Sequence, residues 1–144
     1  MGLAIINDLM KPTLIRSFIE PLKNVENPLE AIYGMMHHLL MENSFLKVEY
    51  GCPASNFTQE MAPWNADFSS ALNDITEQWA KALTAALVKG KEKGLVRKDV
   101  NARQVTLFVM SGYWGVRNMG KLEGRKKAYI PYLKELKHYL EALA

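Results

Sequence analysis

An all-α bundle of about six helices is the fold this sequence predicts, and three observations carry it. Apolar residues at Phe68, Leu72, Ile75, Trp79, Ala82 and Ala86 recur in steps of four and three, which places them in one stripe on one helix face. Helix-start signals stand ahead of the apolar runs: Asn27 followed by Pro28, Asn65 or Asp67, and Asn101. No segment shows the two-residue alternation of a strand, and no internal repeat or low-complexity linker interrupts the chain.

Taken in order, the first helix is expected over about residues 3–20. Pro12 lies inside it, and since an interior proline costs about 3 kcal/mol, a kink or break is expected there. A second helix runs from Pro28 to about Glu42, followed by loop from Asn43 to Gly51. A short helix spans about Pro53 to Met61, and the long one reaches about Lys93, stopped by Gly94 with Lys89, Lys91 and Lys93 toward its negative end. The fifth is expected from Asn101 to about Met119. The sixth begins after Glu123 or Gly124 and ends near Leu143.

Length and composition narrow the class. A chain of 144 residues makes one domain over 1–144, and 49% hydrophobic with 23% charged residues is an ordinary globular balance that argues against disorder. No apolar run nears the roughly 18 residues of a membrane helix, and the start MGLAIINDLMKP lacks a signal peptide's basic region, so the expectation is a cytoplasmic protein with no membrane partner. The single cysteine, Cys52, cannot form an internal disulfide. The net charge of +3 is uneven: residues 1–96 carry −3 and residues 97–144 carry +6, with Arg125, Lys126 and Lys127 adjacent. Three such charges fit a solvated helix start better than a nucleic-acid patch, since no base-reading module accompanies them.

The last two helices are apolar over more than one face. Val105, Val109, Gly112 and Val116 on one, and Tyr129, Tyr132, Leu133, Leu136 and Leu140 on the other, either close the monomer core or form a symmetric four-helix interface in a homodimer. Gly112 and Gly115 permit close backbone approach in either case.

The order of parts resembles the C-terminal ligand-binding and dimerisation domain of TetR/AcrR-family transcriptional regulators. The resemblance rests on the entry GCPASNFTQEM with its Gly51-Cys52 turn, the long helix ending KGKEKGLVRKDVNARQV, and the SGYWG segment of the following helix. It implies a small-molecule-sensing regulatory domain, repressor by the family's habit. A ligand among the helices would alter the tilt of residues 3–20 and so change DNA binding by an N-terminal helix-turn-helix domain that these residues do not contain. Operator DNA would be a partner only through that missing domain.

For such a pocket the expected ligand is small and apolar or aromatic. The residues chosen for it are Met35, Leu39, Phe57, Met61, Trp64, Trp79, Phe108, Tyr113 and Trp114, which supply sulfur and aromatic surface, with His38, Glu60 and Asn118 as polar candidates. His37 and His38 are adjacent, hence about 100° apart on an α-helix, and are not expected to face one site. No metal or other cofactor is expected, since a ligand set of one histidine with Glu42 and Cys52 would need an unusual loop. The protein is not expected to be an enzyme. The alternatives are a stand-alone dimeric small-molecule binder without DNA binding, and a helical enzyme using His38 with Glu60 as an acid-base pair.

Overall fold

The computed structural model describes residues 2–123 and 126–144. Among them are six helical runs: α1 (residues 2–22), α2 (residues 28–42), α3 (Pro53–Met61), α4 (Ala66–Glu92), α5 (Ala102–Glu123) and α6 (Tyr129–Glu141), with short 3-10 turns at Val48–Tyr50 and Lys126–Ala128. The expected break between α5 and α6 at Gly124 lies outside the described residues. No helix among those described is long and apolar enough to cross a membrane.

Local chemistry accounts for most boundaries. The Asn27 side chain accepts from the backbone N–H groups of Leu29 and Glu30, and Asn65 accepts from Asp67 and Phe68, so two orphan donors at each helix start are satisfied. Asn65, not Asp67, is thus the cap of α4. At the far end Gly94 takes φ +74°, and Leu95 N–H bonds back to the Gly90 carbonyl, closing the helix with a left-handed residue. Two of the lysines expected near this end bond carbonyls of neighbouring loops: Lys91 reaches Val100, and Lys93 reaches Val25.

Pro12 does not break α1. The helix passes it by widening: a π turn at Ile6–Met10 precedes the α-helical segment Lys11–Leu14, which has Pro12 near its start, and a second π turn covers Ile15–Ile19. Near the start of an α-helical segment the N–H that proline lacks matters least, so the ring is accommodated by changing the hydrogen-bond register upstream of it. Helix α1 ends where Asn24 adopts φ +53°.

The core divides in two. The larger part joins α2, α4, α5 and α6 with the inner end of α1, and a satellite of Ile6, Phe68, Leu72 and Ile75 lies under the outer end of α1. On α4 the buried stripe is Phe68, Leu72, Ile75, Trp79, Leu83, Ala86, Leu87 and Gly90; Leu83 rather than half-buried Ala82 continues it. Of the nine residues considered for a dimer surface, seven are buried within the protomer, and Gly112 and Tyr132 are half-buried. Val105, Val109, Val116, Tyr129, Leu133, Leu136 and Leu140 are buried in the protomer's own core, and Gly112 makes room for the Tyr132 ring. They close the monomer because α5 lays an apolar side against α4 and α6 lays one against α2, leaving a second side outward.

Gly90 and Gly34 sit inside helices in opposite surroundings. A Cβ at Gly90 would stand 2.5 Å from Pro28 Cγ and 2.8 Å from Val96, whereas one at Gly34 meets nothing within 4 Å. Gly34→Ala should therefore stabilise the protein by about 0.5–1 kcal/mol. Gly90→Ala should destabilise it by about 1–3 kcal/mol, because the rigid proline ring cannot retreat. Urea unfolding of the two variants checks the opposite signs.

Candidate ligand-binding site

A glycine turn starts the site. Gly51 adopts φ +65° and ψ −145°, a conformation reserved for glycine, and turns the chain from the Val48–Tyr50 turn into α3. The Asn56 amide donates to the Tyr50 carbonyl at 2.7 Å and fixes the turn from the other side. Cys52, Pro53 and Ala54 are thereby set against the middle of α4, where Ile75, Thr76 and Trp79 face them. Met10, Thr13, Leu14 and Phe18 of α1 cover one side, Trp114 of α5 another, and half-exposed Phe45 stands over the mouth. These groups enclose a mostly apolar cavity of about 60 Å³.

At its floor three rings meet edge to face. Phe18 and Trp79 have centroids 5.0 Å apart, and Tyr113 lies 5.5 Å from each, with interplanar angles of 82–88°. Such pairs contribute about 0.5–1.5 kcal/mol apiece beyond burial, and these link α1, α4 and α5. Tyr113 continues the link through its hydroxyl, which accepts from Arg117 Nε at 3.1 Å.

Arg117 is the charged side chain that sequence reading passed over, and it is only 1% exposed. Among the described residues it has no carboxylate partner. Its guanidinium donates to the Leu39 carbonyl, to the Leu46 carbonyl at 2.9 Å and to the Tyr129 hydroxyl at 3.4 Å, with the Tyr113 and Tyr129 rings 5.3 and 5.5 Å from its central carbon. Burial pulls the guanidinium toward neutrality, but Tyr113 and Tyr129 more than offset this, so the group stays charged. Burial also pushes the Tyr113 phenol and the Cys52 thiol up, so both are protonated at neutral pH. The available signal was spacing: Arg117 follows Tyr113 by one turn and stands beside buried Val116.

The pocket residues chosen from sequence are scattered. Trp79 and Trp114 line the cavity, and Tyr113 packs behind Trp79. Met35 and Leu39 are core residues of α2; Phe57 and Met61 pack on the satellite core. Trp64, 86% exposed in the turn after α3, and exposed Glu60, Asn118 and Phe108 point away, Phe108 packing on Tyr139 with centroids 4.6 Å apart. The cavity residues contributed by α1, Met10, Thr13, Leu14 and Phe18, were missed because the lever helix was read as a lever alone.

The histidine pair also departs from expectation. His37 Nδ1 lies 3.1 Å and His38 Nδ1 3.2 Å from the two oxygens of the same Glu42 carboxylate. The end of α2, His38–Glu42, is a π turn in which residues five apart come into register, so adjacent histidines reach one acceptor. The hydrogen bond from His38, followed by the charge of His37, lowers the Glu42 pKa. This cluster is exposed, and Cys52 is a buried cavity residue; no group of three potential ligands is arranged for a metal among the described residues.

A family model described as tetracyclin repressor-like, C-terminal domain, matches residues 28–134. A curated relative, the HTH-type transcriptional repressor DhaR of Mycobacterium sp. (strain GP1), is 26% identical over 83 residues. That match spans 58% of this chain and 42% of the relative's length. Arg117→Met should cost about 3 kcal/mol, since two buried carbonyls lose their donor; a midpoint shift in guanidinium chloride, compared with Arg97→Met at the exposed Arg97–Asp99 pair, checks it.

Proposed function

The chain belongs to the tetracyclin repressor-like C-terminal domain family, and from that premise we propose that residues 1–144 form the regulatory domain of a transcriptional repressor that senses a small apolar or aromatic molecule. Family and fold point to a non-catalytic domain. His38 is engaged by Glu42, and Glu60 stands exposed on α3, which gives no support to an acid-base pair.

The observation that carries the reading is the position of the cavity against α1. Four residues of α1 form its wall, and its volume of about 60 Å³ is well below the roughly 300–1,000 Å³ of a pocket for a drug-sized ligand. Such a ligand enters only if α1 or the loop bearing Phe45 moves outward. Binding energy is thereby tied to the position of α1, which is what coupling between two sites requires. Operator DNA is read by a helix-turn-helix region preceding α1, and the ligand acts on it through α1. The alternative of a stand-alone binder shares the cavity and differs in having no DNA partner.

Dimerisation uses the outward side of α5, opposite the residues that close the core. Leu107, 68% exposed, Phe108, Met119 and Leu122 form an apolar face with Ser111 and Gly115 at its centre, where small residues allow close helix approach. The adjoining face of α6 is contributed by Tyr132 and Tyr139, with Tyr139 already against Phe108.

Uncharged aromatic compounds should raise the thermal midpoint by several degrees at concentrations near 100 times Kd. Ala54→Trp, which plugs the cavity, should abolish the shift; an equal shift in the plugged protein would sink the pocket reading. For the dimer, Gly115→Glu is informative because a Cβ there meets nothing within 4 Å of its own protomer. Sedimentation should find a wild-type dimer and a folded Gly115→Glu monomer, the dissociation constant rising at least about 100-fold. A monomeric wild type at high micromolar concentration contradicts the interface.

A further inference from the structure

Of the residues that line the cavity, Phe45 alone is exposed, at 58%; the others are buried or half-buried. It therefore marks the side on which the cavity meets solvent. The main chain around it is held at several points. Asn43 Oδ1 accepts from the N–H groups of Phe45 and Leu46 at 2.9 and 3.1 Å, and Arg117 Nη1 donates to the Leu46 carbonyl at 2.9 Å. Further along, the Leu46 and Val48 side chains are buried, and the Asn56 amide holds the Tyr50 carbonyl at 2.7 Å. The Phe45 ring has no such tie and belongs to neither part of the core.

Two motions on this side would open the mouth, and they differ in cost. Drawing the loop outward takes the Leu46 carbonyl from Arg117, which leaves part of a buried guanidinium without its acceptor, and exposes Leu46 and Val48. Turning an exposed phenylalanine about its side-chain torsions breaks no hydrogen bond and takes place within nanoseconds. Resting on the sensing reading above, we infer that Phe45 is the gate of the cavity: its ring swings while the main chain of the loop stays in place, ligands pass at this point, and α1 supplies the added room once they are inside. A gate of this kind sets how fast a ligand enters and leaves. How tightly the ligand is held falls to Ile75, Trp79 and the wall formed by α1.

The test is stopped-flow binding of N-phenyl-1-naphthylamine, a neutral apolar fluorophore, read by energy transfer from the protein's tryptophans. In Phe45→Ala the association and dissociation rate constants should both rise about ten-fold, as expected where the open ring position is populated near 10%, and Kd should move much less than either. Phe45→Trp should slow both. Because the ring is exposed, both variants are expected to fold, and their circular dichroism checks this. No signal is expected from Ala54→Trp, which ties the kinetics to this cavity. Unchanged rates in Phe45→Ala overturn the gate and leave the cavity intact. Faster association in Lys11→Met alone, which frees α1 from Asp74, overturns it in favour of a door in α1. Absence of binding to wild type and Phe45→Ala alike, together with no thermal shift from other uncharged aromatic compounds, overturns the sensing reading and this inference with it.

Discussion

A buried cation with no carboxylate partner among the described residues organises this bundle. Arg117 is buried on α5, and the cost of dehydrating its charge is met by main-chain carbonyls and phenols drawn from three other places in the chain. Those acceptors are not interchangeable. The Leu39 carbonyl lies at the C-terminal end of α2, where the helix dipole is negative, and the Leu46 carbonyl lies in the loop that leads to Gly51. Lys126 adds a second cation at the same helix end through the Met41 carbonyl, at 2.6 Å. One of the three adjacent basic residues near α6 is thus committed to holding α2 in place.

From that hub the constraint runs outward to the cavity. Tyr113 carries it to Trp79 and Phe18, and the loop held through Leu46 carries it to Phe45, Cys52 and Ala54. The cavity therefore has a floor formed by rings tied to Arg117, one of them Phe18 of α1, and a wall formed by the rest of α1. Two π turns in α1 loosen its hydrogen-bond ladder, and at the surface an exposed pair, Lys11 with Asp74 at 3.0 Å, ties it to α4. Of its buried residues, Phe18 and Leu22 join the main core and Ile6 the satellite, whereas α2 and the C-terminal half of α4 bury their stripes in the main core.

The legible parts were those decided by residues near one another in the chain. Asn27 before Pro28, Asn65 before a helical stripe, and Gly94 after one are local hydrogen-bonding and dihedral arguments, and they placed the ends of α2 and α4 closely. The stripe on α4 was legible for the same reason, apart from the drift that exchanges Ala82 for Leu83. Pro12 was misjudged because its cost was reckoned for a strict α-helix, and a change to i→i+5 bonding removes much of it. The histidine pair failed on the same assumption. On α5 and α6 the pattern correctly announced two apolar sides but carried no information on which side a neighbour in the same chain would take.

By itself, then, the sequence determined an all-helical chain, its caps, its turns and the family it resembles, because propensity, capping and periodicity act over a few residues. Tertiary structure alone decided that Arg117 is buried, that Val105 and Leu136 close a core, and that Trp79 rather than Trp64 stands at the cavity. The physical reason is distance along the chain: Arg117 meets Leu39 across 78 residues and Leu46 across 71. Whether a charge or an aromatic ring is stable inside depends on acceptors and neighbours that only packing brings to it.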